Sequence, residues 1–256
     1  MMISIAIHGC SGHMGQVVAR LVQSSEDLTI ACGIDVRKPA QDPGFPVFSS
    51  FSECTVPFDA VIDFSTAAAV DELLDACVSL KKPLVLCTTG LSDAQKDKIR
   101  AAAETIPVFF SANMSLGINL LTVLARKACR ILADAGFDIE IEERHHRRKL
   151  DAPSGTALML GEAMIQELGD TYTMDMGRMD RRAARDPHTI GMSAVRGGTI
   201  VGEHTILFAG QDEMIELKHT ALSRDVFAAG AISAARFLVT QAPGSYDMNQ
   251  LVETML

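Results

Sequence analysis

The feature that most constrains the fold is a regular alternation of short apolar segments and amphipathic segments along residues 1–115. The apolar segments are rich in β-branched residues and predict strands at 3–9, 28–35, 60–65, 83–90 and 107–113. The spacing of apolar residues between them predicts helices at 14–24, 67–80 and 92–104. Nearly continuous apolar strands that alternate with helices are typical of a parallel sheet covered on both faces. This part of the chain is therefore predicted to form a Rossmann-type, doubly wound α/β domain.

The pattern changes after a long helical stretch over about 115–132. The segment FDIEIEERHH alternates Ile with Glu, as in a strand with one wet face, and SGTALMLGEAMIQEL predicts a helix that begins near Ser154. The polar segment 170–188 predicts a surface loop, and three later segments with glycine-containing turns predict strands of an antiparallel or mixed sheet. We therefore expect a second, smaller α+β domain over 116–225.

A glycine-rich loop, GCSGHMG, follows the first predicted strand directly. Gly9, Gly12 and Gly15 lie between a strand and a helix, where a tight turn lets the backbone approach a pyrophosphate and the helix N-terminus faces the anion. The spacing is G-x-x-G-x-x-G, because Ser11 occupies the place of the middle glycine in the commoner G-x-G-x-x-G motif. With its strand-loop-helix context, the loop predicts a dinucleotide site.

Further cofactor contacts are expected at the carboxyl ends of the strands, where ligands of open α/β sheets bind. Asp35 ends the second strand about twenty residues past the last glycine, where an acidic side chain binds the ribose hydroxyls. That carboxylate favours NADH, whereas Arg37 and Lys38 can pair with the 2′-phosphate of NADPH, so the preference stays open. The loops CTTG (87–90) and SANMS (111–115) are placed to contact the nicotinamide and its ribose, although both also fit ordinary turns.

The segment 144–158, RHHRRKLDAPSGTAL, is the densest cluster of reactive and anion-binding groups in the chain. A metal site is disfavoured, because the adjacent His145 and His146 point to opposite faces of an extended chain and no H-E-x-x-H spacing occurs. A solvated basic loop would explain Arg147 and Arg148. It does not explain the proline and glycine that lead into Ser-Gly-Thr.

A catalytic, anion-binding segment explains these residues better. Pro153 keeps the chain extended before Ser154, a predicted helix N-cap. The backbone N–H groups of Gly155 and Thr156, with the nearby hydroxyls, then form a seat for a carboxylate or a phosphate. Lys149 and one of the histidines are placed to supply a cation and a proton donor.

Charge and cysteine content narrow the class of partner and the compartment. A formal net charge of −9 disfavours nucleic acid as a partner. Six cysteines without C-x-x-C spacing indicate reduced thiols rather than disulfides or a metal site. The N-terminal apolar stretch is too short for a signal peptide, and no segment has the length of a membrane span. We therefore expect a soluble, cytoplasmic protein with a small-molecule substrate, without membrane, nucleic-acid or metal binding.

The segment EERHHRRKLDAPSGTA resembles the signature of the 4-hydroxy-tetrahydrodipicolinate reductase (dihydrodipicolinate reductase) family. The similarity extends through most of the chain: GCSGHMG resembles the family's glycine loop, VIDFS, TTG and SANMSLGIN its cofactor loops, and VRGGTIVGEHTILFA and LSRDVFAAGA its later blocks. The resemblance implies an NAD(P)H-dependent oxidoreductase of the diaminopimelate route to lysine. A hydride passes to C4 of the substrate ring and a proton to C3, which gives tetrahydrodipicolinate.

The resemblance also implies roles for individual residues. His145 matches the proton donor, and Lys149 matches a lysine that helps to bind the substrate and takes part in catalysis. The residues expected to hold the carboxylates of this dicarboxylate heterocycle are His146, Ser154, Gly155, Thr156 and Arg224. The residues expected to bind NADH or NADPH are Gly9, Cys10, Ser11, Gly12, His13, Met14, Gly15, Asp35, Cys87, Thr88, Thr89, Ser111, Ala112, Asn113 and Met114. Two of them depart from the family pattern, because Cys87 replaces a usual glycine and Met114 a frequent aromatic residue.

The family fold implies that 226–256 returns to complete the dinucleotide domain of 1–115. The segment 116–225 is then the substrate-binding domain, which forms a homotetramer through its sheet. Two other classes compete: a different two-domain NAD(P)-dependent dehydrogenase acting on an amino acid or a sugar, and a non-catalytic regulator that senses nicotinamide cofactors. Neither gives a reason for His145 and Lys149 beside a Ser-Gly-Thr seat.

Overall fold

The chain divides into two compact units, and it leaves the first unit once before returning to it. The first unit combines Met1–Leu116 with Asp225–Leu256, and the second is Gly117–Arg224. Among the described residues, no helix is long and apolar enough to cross a membrane. The computed structural model describes residues 2–111, 113–178 and 181–255.

The first unit is built on a sheet of seven parallel strands. These are β1 (Ile3–His8), β2 (Leu28–Ile34), β3 (Val47–Phe48), β4 (Ala60–Asp63), β5 (Leu84–Leu86), β6 (Pro107–Phe110) and, after the second unit, β12 (Gly244–Tyr246). Their order across the sheet is β12-β6-β5-β4-β1-β2-β3, and paired neighbours are parallel. The chain thus proceeds outward from β1 in both directions, which confirms the predicted doubly wound fold.

Helices cover both faces of this sheet. They are α1 (His13–Gln23), α2 (Val70–Leu80), α3 (Asp93–Ala103), α6 (Asp225–Leu238) and α7 (Met248–Glu253), with short 3-10 helices at Phe51–Glu53 and Ala67–Ala69. Ile5 and Ile7 of β1 pack in one core with α1 and α6, whereas Ala6 lies in a second core with α2 and α3. Because successive strand residues point to opposite faces, a strand buried on both must be apolar throughout.

The second unit is a mixed five-stranded sheet with helices on one face. Its strands are β7 (Asp138–His145), β8 (Thr173–Asp175), β9 (Thr189–Arg196), β10 (Gly202–Ala209) and β11 (Met214–Ala221), and its helices are α4 (Leu116–Leu132) and α5 (Gly155–Leu168). The strand order is β11-β10-β7-β9-β8. β10 is antiparallel to β7 and β11, whereas β9 is parallel to β7 and β8. This confirms the prediction of a mixed sheet; the buried Ile139 and Ile141 pack in one core with residues of α4 and α5.

The structure differs from the sequence prediction mainly in short elements and in strand ends. β5 spans Leu84–Leu86, although the apolar pattern predicted 83–90, because the residues after Leu86 form a loop. β3, β8 and β12 were not predicted, and β8 lies in the segment 170–188 that was expected to be a loop. Strands of two or three residues are too short to show a period of two.

Candidate active site

The glycine loop after β1 has a geometry that side chains would obstruct. Gly9 has φ of +78°, and a Cβ there would lie 2.6 Å from the carbonyl oxygen of Phe64. A Cβ on Gly15 would lie 2.3 Å from the carbonyl oxygen of Gly9. α1 begins at His13, and its N-cap residue, Gly12, has no side chain to accept hydrogen bonds from the first turn. The loop therefore presents backbone N–H groups at a helix N-terminus, where an anion binds favourably.

Hydrogen bonds to the Asp35 side chain hold this loop against the end of β2. Its Oδ2 accepts a hydrogen bond from the backbone N–H of Ser11, and its Oδ1 accepts one from that of Arg37, both at 2.9 Å. The Ser11 hydroxyl donates to the carbonyl oxygen of Arg37 at 2.8 Å. A cavity of about 240 Å³ adjoins these residues, and its lining includes His8 and Gly9. The predicted residues Gly9 and Asp35 thus line one cavity, and Ser11 is hydrogen-bonded to Asp35.

A buried carboxylate that the sequence analysis did not single out organises the next loop. Asp63, at the end of β4, is fully buried. Its Oδ2 accepts from the Thr88 hydroxyl at 2.6 Å, and its Oδ1 lies 2.8 Å from Nδ1 of His8. The signal for it was a charged residue closing the apolar strand AVID. Asp63 therefore holds Thr88 in place, while the following Thr89 is exposed.

The loop after β6 packs against α6. The Ser111 hydroxyl donates to the carbonyl oxygen of Asn113 at 3.2 Å, and the Asn113 side chain accepts from the backbone N–H of Ser115 at 2.8 Å. A Cβ on Gly230 of α6 would lie 1.6 Å from the carbonyl oxygen of Met114, so only glycine permits this approach. Ala112 lies outside the described residues.

The two residues that depart from the family pattern, Met114 and Cys87, lie in apolar surroundings. Met114 is 4% exposed and belongs to the core beside α6, so it does not present its side chain at the surface. Cys87 is partly buried against the same core. Desolvation raises the pKa of its thiol well above the usual value, so this cysteine stays protonated.

In the second unit, side chains along β7 point alternately inward and outward, and this alternation brings two polar side chains into the interior. Ile139, Ile141, Glu143 and His145 share the buried face of the strand. Nδ1 of His145 lies 2.5 Å from Oε2 of Glu143, and its ring centroid is 5.2 Å from that of His204. Burial lowers the pKa of His145 below its usual value, and nearby cations lower it further, against the opposing effect of Glu143. The imidazole is therefore neutral near neutral pH.

Ser154 is the N-cap of α5, as predicted. Its hydroxyl accepts from the backbone N–H of Ala157 at 3.2 Å and lies 3.1 Å from Nε2 of His204. Its own backbone N–H donates to Oε1 of Glu143 at 3.0 Å. The Ser154 side chain thus bonds inward and is almost fully buried, whereas Gly155 at the start of the helix is exposed.

The other predicted substrate residues surround a turn between β7 and α5, except Arg224, which is exposed at the end of the second unit. The backbone N–H of Lys149 donates to the carbonyl oxygen of His146 at 3.1 Å, and both side chains are half-buried. Nζ of Lys149 lies 2.9 Å from Oδ2 of Asp151, and this hydrogen bond holds the pKa of Asp151 below its usual value. Thr156 is also half-buried. Within the described ranges, no group of three or more His, Cys, Asp or Glu residues is arranged to hold a metal ion.

Three residues beside His145 were missed by the sequence analysis as parts of the site. They are Glu143, Arg196 and His204. The sequence carries a signal for Glu143, because a period of two places it on the same face as Ile139 and Ile141. It carries none for Arg196, which meets Glu143 through the pairing of β7 with β9.

These features define a class of protein. A doubly wound sheet with a glycine loop and an acidic residue after β2 is typical of dinucleotide-binding domains. A buried histidine beside a helix N-terminus, in a separate unit, is the kind of group that transfers protons, and helix N-termini favour anions. Together they are the features of a nicotinamide-dependent oxidoreductase.

Comparison with known proteins gives the family. Residues 3–114 match the family model described as dihydrodipicolinate reductase, N-terminus, and residues 117–252 match the model for its C-terminus. A 4-hydroxy-tetrahydrodipicolinate reductase from Caldanaerobacter subterraneus subsp. tengcongensis is 47% identical, over 99% of each chain. One from Clostridium novyi is 43% identical, over 99% of each chain. The chain belongs to the dihydrodipicolinate reductase family, which confirms the resemblance seen in the sequence.

Solved structures agree with this assignment. The dipicolinate-bound dihydrodipicolinate reductase from Paenisporosarcina sp. TG-14 superposes with a TM-score of 0.80 at 26% identity, covering 96% of this chain and 98% of that one. An amine dehydrogenase from Mycobacterium smegmatis has a TM-score of 0.62 at 12% identity, covering 96% of this chain and 95% of that one. The second likeness shows a shared fold alone.

Proposed function

We propose that this chain reduces 4-hydroxy-tetrahydrodipicolinate (dihydrodipicolinate) to tetrahydrodipicolinate with NADH or NADPH, in the diaminopimelate route to lysine. The observation that carries the proposal is the buried His145 beside Ser154, the N-cap of α5, within the segment that resembles the family signature. Curated relatives that cover 99% of the chain carry the name 4-hydroxy-tetrahydrodipicolinate reductase. The Paenisporosarcina relative is bound to dipicolinate, a heterocycle with two carboxylates.

The proposal assigns the dinucleotide to the first unit. The glycine loop fits a pyrophosphate, since Gly9 and Gly15 let the backbone turn tightly where a Cβ would collide with it, and α1 presents its N-terminus. Asp35 adjoins a cavity that suits a ribose and a base. The loops at 87–89 and 111–114 are assigned to the nicotinamide end. When bound, the reduced nicotinamide supplies the hydride for C4 of the substrate ring.

The substrate carboxylates are assigned to the second unit. The first turn of α5, with Gly155 and Thr156, and the side chain of His146 form one seat for a carboxylate. Lys149 supplies a positive charge beside it, and Arg224 is assigned to the remaining carboxylate. Ser154 contributes to the seat as the N-cap that holds the first turn of α5. Its hydroxyl is already hydrogen-bonded within the protein.

His145 is assigned as the proton donor to C3, and the structure suggests how it becomes charged. Burial keeps the pKa of His145 below its usual value in the free protein. Two substrate carboxylates placed near the imidazole favour its protonated form, because an opposite charge within about 4–6 Å stabilises a cation. Substrate binding therefore favours protonation of His145, which delivers this proton to C3 after hydride transfer.

A homotetramer and a cytoplasmic location are part of the same proposal. Met214 and Ile215 on the edge strand β11 are 68% and 38% exposed, and an apolar sheet edge of this kind is suited to association between copies of the chain. The free cysteines are consistent with a reducing compartment. Light scattering of the purified protein tests the tetramer, and a dimer or a monomer would contradict it.

The reaction is tested with the compound formed by condensing pyruvate with aspartate semialdehyde, and oxidation of NADH and of NADPH is followed separately. We expect oxidation that depends on this substrate with at least one cofactor; none with either would reject the proposal. His145→Ala should lower kcat by about 10²–10⁴-fold, the usual contribution of a general acid, while the Kd for NADH changes less than about twofold. Equal losses in both would contradict the assigned role.

A further inference from the structure

The residue at the centre of the second unit's polar cluster is Glu143. Its carboxylate is 1% exposed and accepts four hydrogen bonds. Oε2 lies 2.5 Å from Nδ1 of His145 and 2.7 Å from Nη1 of Arg196. Oε1 lies 3.0 Å from the backbone nitrogen of Ser154 and 2.5 Å from Nη2 of Arg196. One carboxylate thus joins the proposed proton donor, the N-cap of α5 and an arginine.

This geometry determines which nitrogen of His145 exchanges its proton. Burial alone would raise the pKa of Glu143, but the bonds from Arg196 and His145 outweigh it and hold the pKa below its usual value. The ionised carboxylate only accepts hydrogen bonds, so Nδ1 of His145 carries a proton in every state of the ring. Nε2 is then the nitrogen that gains and loses a proton. A Cβ on Gly202 would lie 3.1 Å from Nε2, so the glycine keeps this side of the ring uncrowded.

Charged and titratable groups from several elements act on His145. Glu143 on β7 favours protonation of His145. Arg196 at the end of β9 and Lys149 in the turn after β7 oppose this protonation. Lys149 is itself paired with Asp151. His204 on β10, next to His219 on β11, is neutral at neutral pH, because burial lowers its pKa to about 4. Arg196 binds both oxygens of Glu143 and so offsets the carboxylate that would otherwise charge the ring.

We propose that Glu143 and Arg196 are a positioning pair for the proton step: Glu143 fixes the tautomer of His145 and so leaves Nε2 to exchange its proton, and Arg196 helps burial to keep the ring neutral until the dicarboxylate substrate binds. The inference rests on the proposed function. In the step itself, the substrate's 4-hydroxyl has left as water to give dihydrodipicolinate, and hydride addition at C4 leaves an electron pair at C3. That pair forms the C3–H bond as the N–H bond at Nε2 breaks and its electrons stay on nitrogen. A proton from solvent charges the ring again when the next substrate binds.

Two substitutions in the pair test this, and they are expected to act in opposite directions. Glu143→Gln keeps the shape and an oxygen for Ser154 but places an amide donor at Nδ1, which favours the other tautomer and a lower His145 pKa. We expect kcat to fall by about 10²–10⁴-fold, as when the carboxylate behind a catalytic histidine becomes an amide. Arg196→Met frees Glu143 to favour the charged ring and should raise the His145 pKa.

The readouts are nitrogen chemical shifts of isotope-labelled histidine in the free protein and the pH dependence of kcat. His145 is assigned by loss of its signals in His145→Asn. Because the donor must be protonated, activity falls as pH rises through its pKa. This limb should move to lower pH in Glu143→Gln and to higher pH in Arg196→Met. Arg144→Met is the matched control, because it removes a cation from the exposed face of β7 and should leave tautomer and profile unchanged.

The possible outcomes are distinct. If both substitutions lower activity while the tautomer and pKa of His145 stay as in the wild type, the pair is structural and the inference is wrong. The same holds if both move the pH limb in one direction. If Glu143→Gln does not fold, the double variant with Arg196→Gln removes both charges of the pair and should still show the altered tautomer. The histidine signals require no turnover, so a wild type that shows the expected tautomer without reducing the substrate would reject the proposed function alone.

Discussion

Ser154→Ala tests whether the N-terminus of α5, the proposed carboxylate seat, is stabilised by the contacts that the structure shows. The substitution removes the N-cap bond to the Ala157 N–H, which costs about 1 kcal/mol. It also removes the bond to Nε2 of the buried His204, and an unsatisfied buried polar group costs about 1–3 kcal/mol. Nδ1 of His204 has no hydrogen-bond partner among the described residues, so this ring would be left without any there. We expect a total loss of about 2–4 kcal/mol.

Ser92→Ala is the matched control for this prediction. Ser92 caps α3 in the same way, with its hydroxyl accepting from the Gln95 N–H at 3.2 Å, but it is exposed. Its replacement should therefore cost only about 1 kcal/mol. Urea unfolding followed by far-UV circular dichroism measures both losses, and hydrogen exchange of peptides from α5 and α3 assigns each to its helix. If Ser154→Ala loses no more than Ser92→Ala, the reasoning about the buried bond is refuted.

Two further predictions concern proton binding and the glycine loop. Burial lowers the pKa of His204 to about 4 from an ordinary 6.5, so the folded state binds this proton less readily than the unfolded state. The free energy of unfolding should therefore be highest above about pH 6.5 and decline as pH falls towards 4, by about 3 kcal/mol in all. Urea unfolding across this range should show a shallower decline in His204→Gln; an unchanged decline would mean that His204 contributes nothing to it. Gly15→Ala places a Cβ 2.3 Å from the carbonyl oxygen of Gly9, and we expect NADH to bind at least about tenfold more weakly by calorimetry, a loss of ~1.4 kcal/mol. Gly177→Ala, where no described atom lies within 4 Å of the added Cβ, is the control and should bind NADH normally.

The parts of the fold that could be predicted from sequence are those whose requirements are local. Gly15 is needed because the chain turns tightly back on Gly9 within six residues, and the motif shows this directly. Ser154 could be identified as an N-cap because proline precedes it and an apolar helical period follows. In both cases the sequence pattern lies close in sequence to the residue that it identifies.

β12 could not be predicted, because its three residues acquire their conformation from a distant partner. Gly244–Tyr246 pairs with Pro107–Phe109 of β6, from a much earlier part of the chain. A three-residue segment containing glycine has little strand propensity of its own. The completed sheet edge is therefore a tertiary feature, and the same holds for Gly230, whose need for a missing Cβ arises from contact with the loop after β6.

The Glu143–Arg196 pair lies between these cases. The period of two in β7 places Glu143 and His145 on the buried face, so the sequence implies that a carboxylate and an imidazole enter the core and require partners there. The identity of the partner depends on strand register: β9 runs parallel to β7 and sets Arg196 opposite His145. A slip of one residue would bring Val195 or Gly197 to that place and turn the side chains of β9 to the other face, leaving Glu143 without a cation. The surroundings of His145 are thus specified by the pairing of two strands whose paired residues are 51 apart in sequence. A local pattern can show that a buried carboxylate needs a partner, but not which residue supplies it.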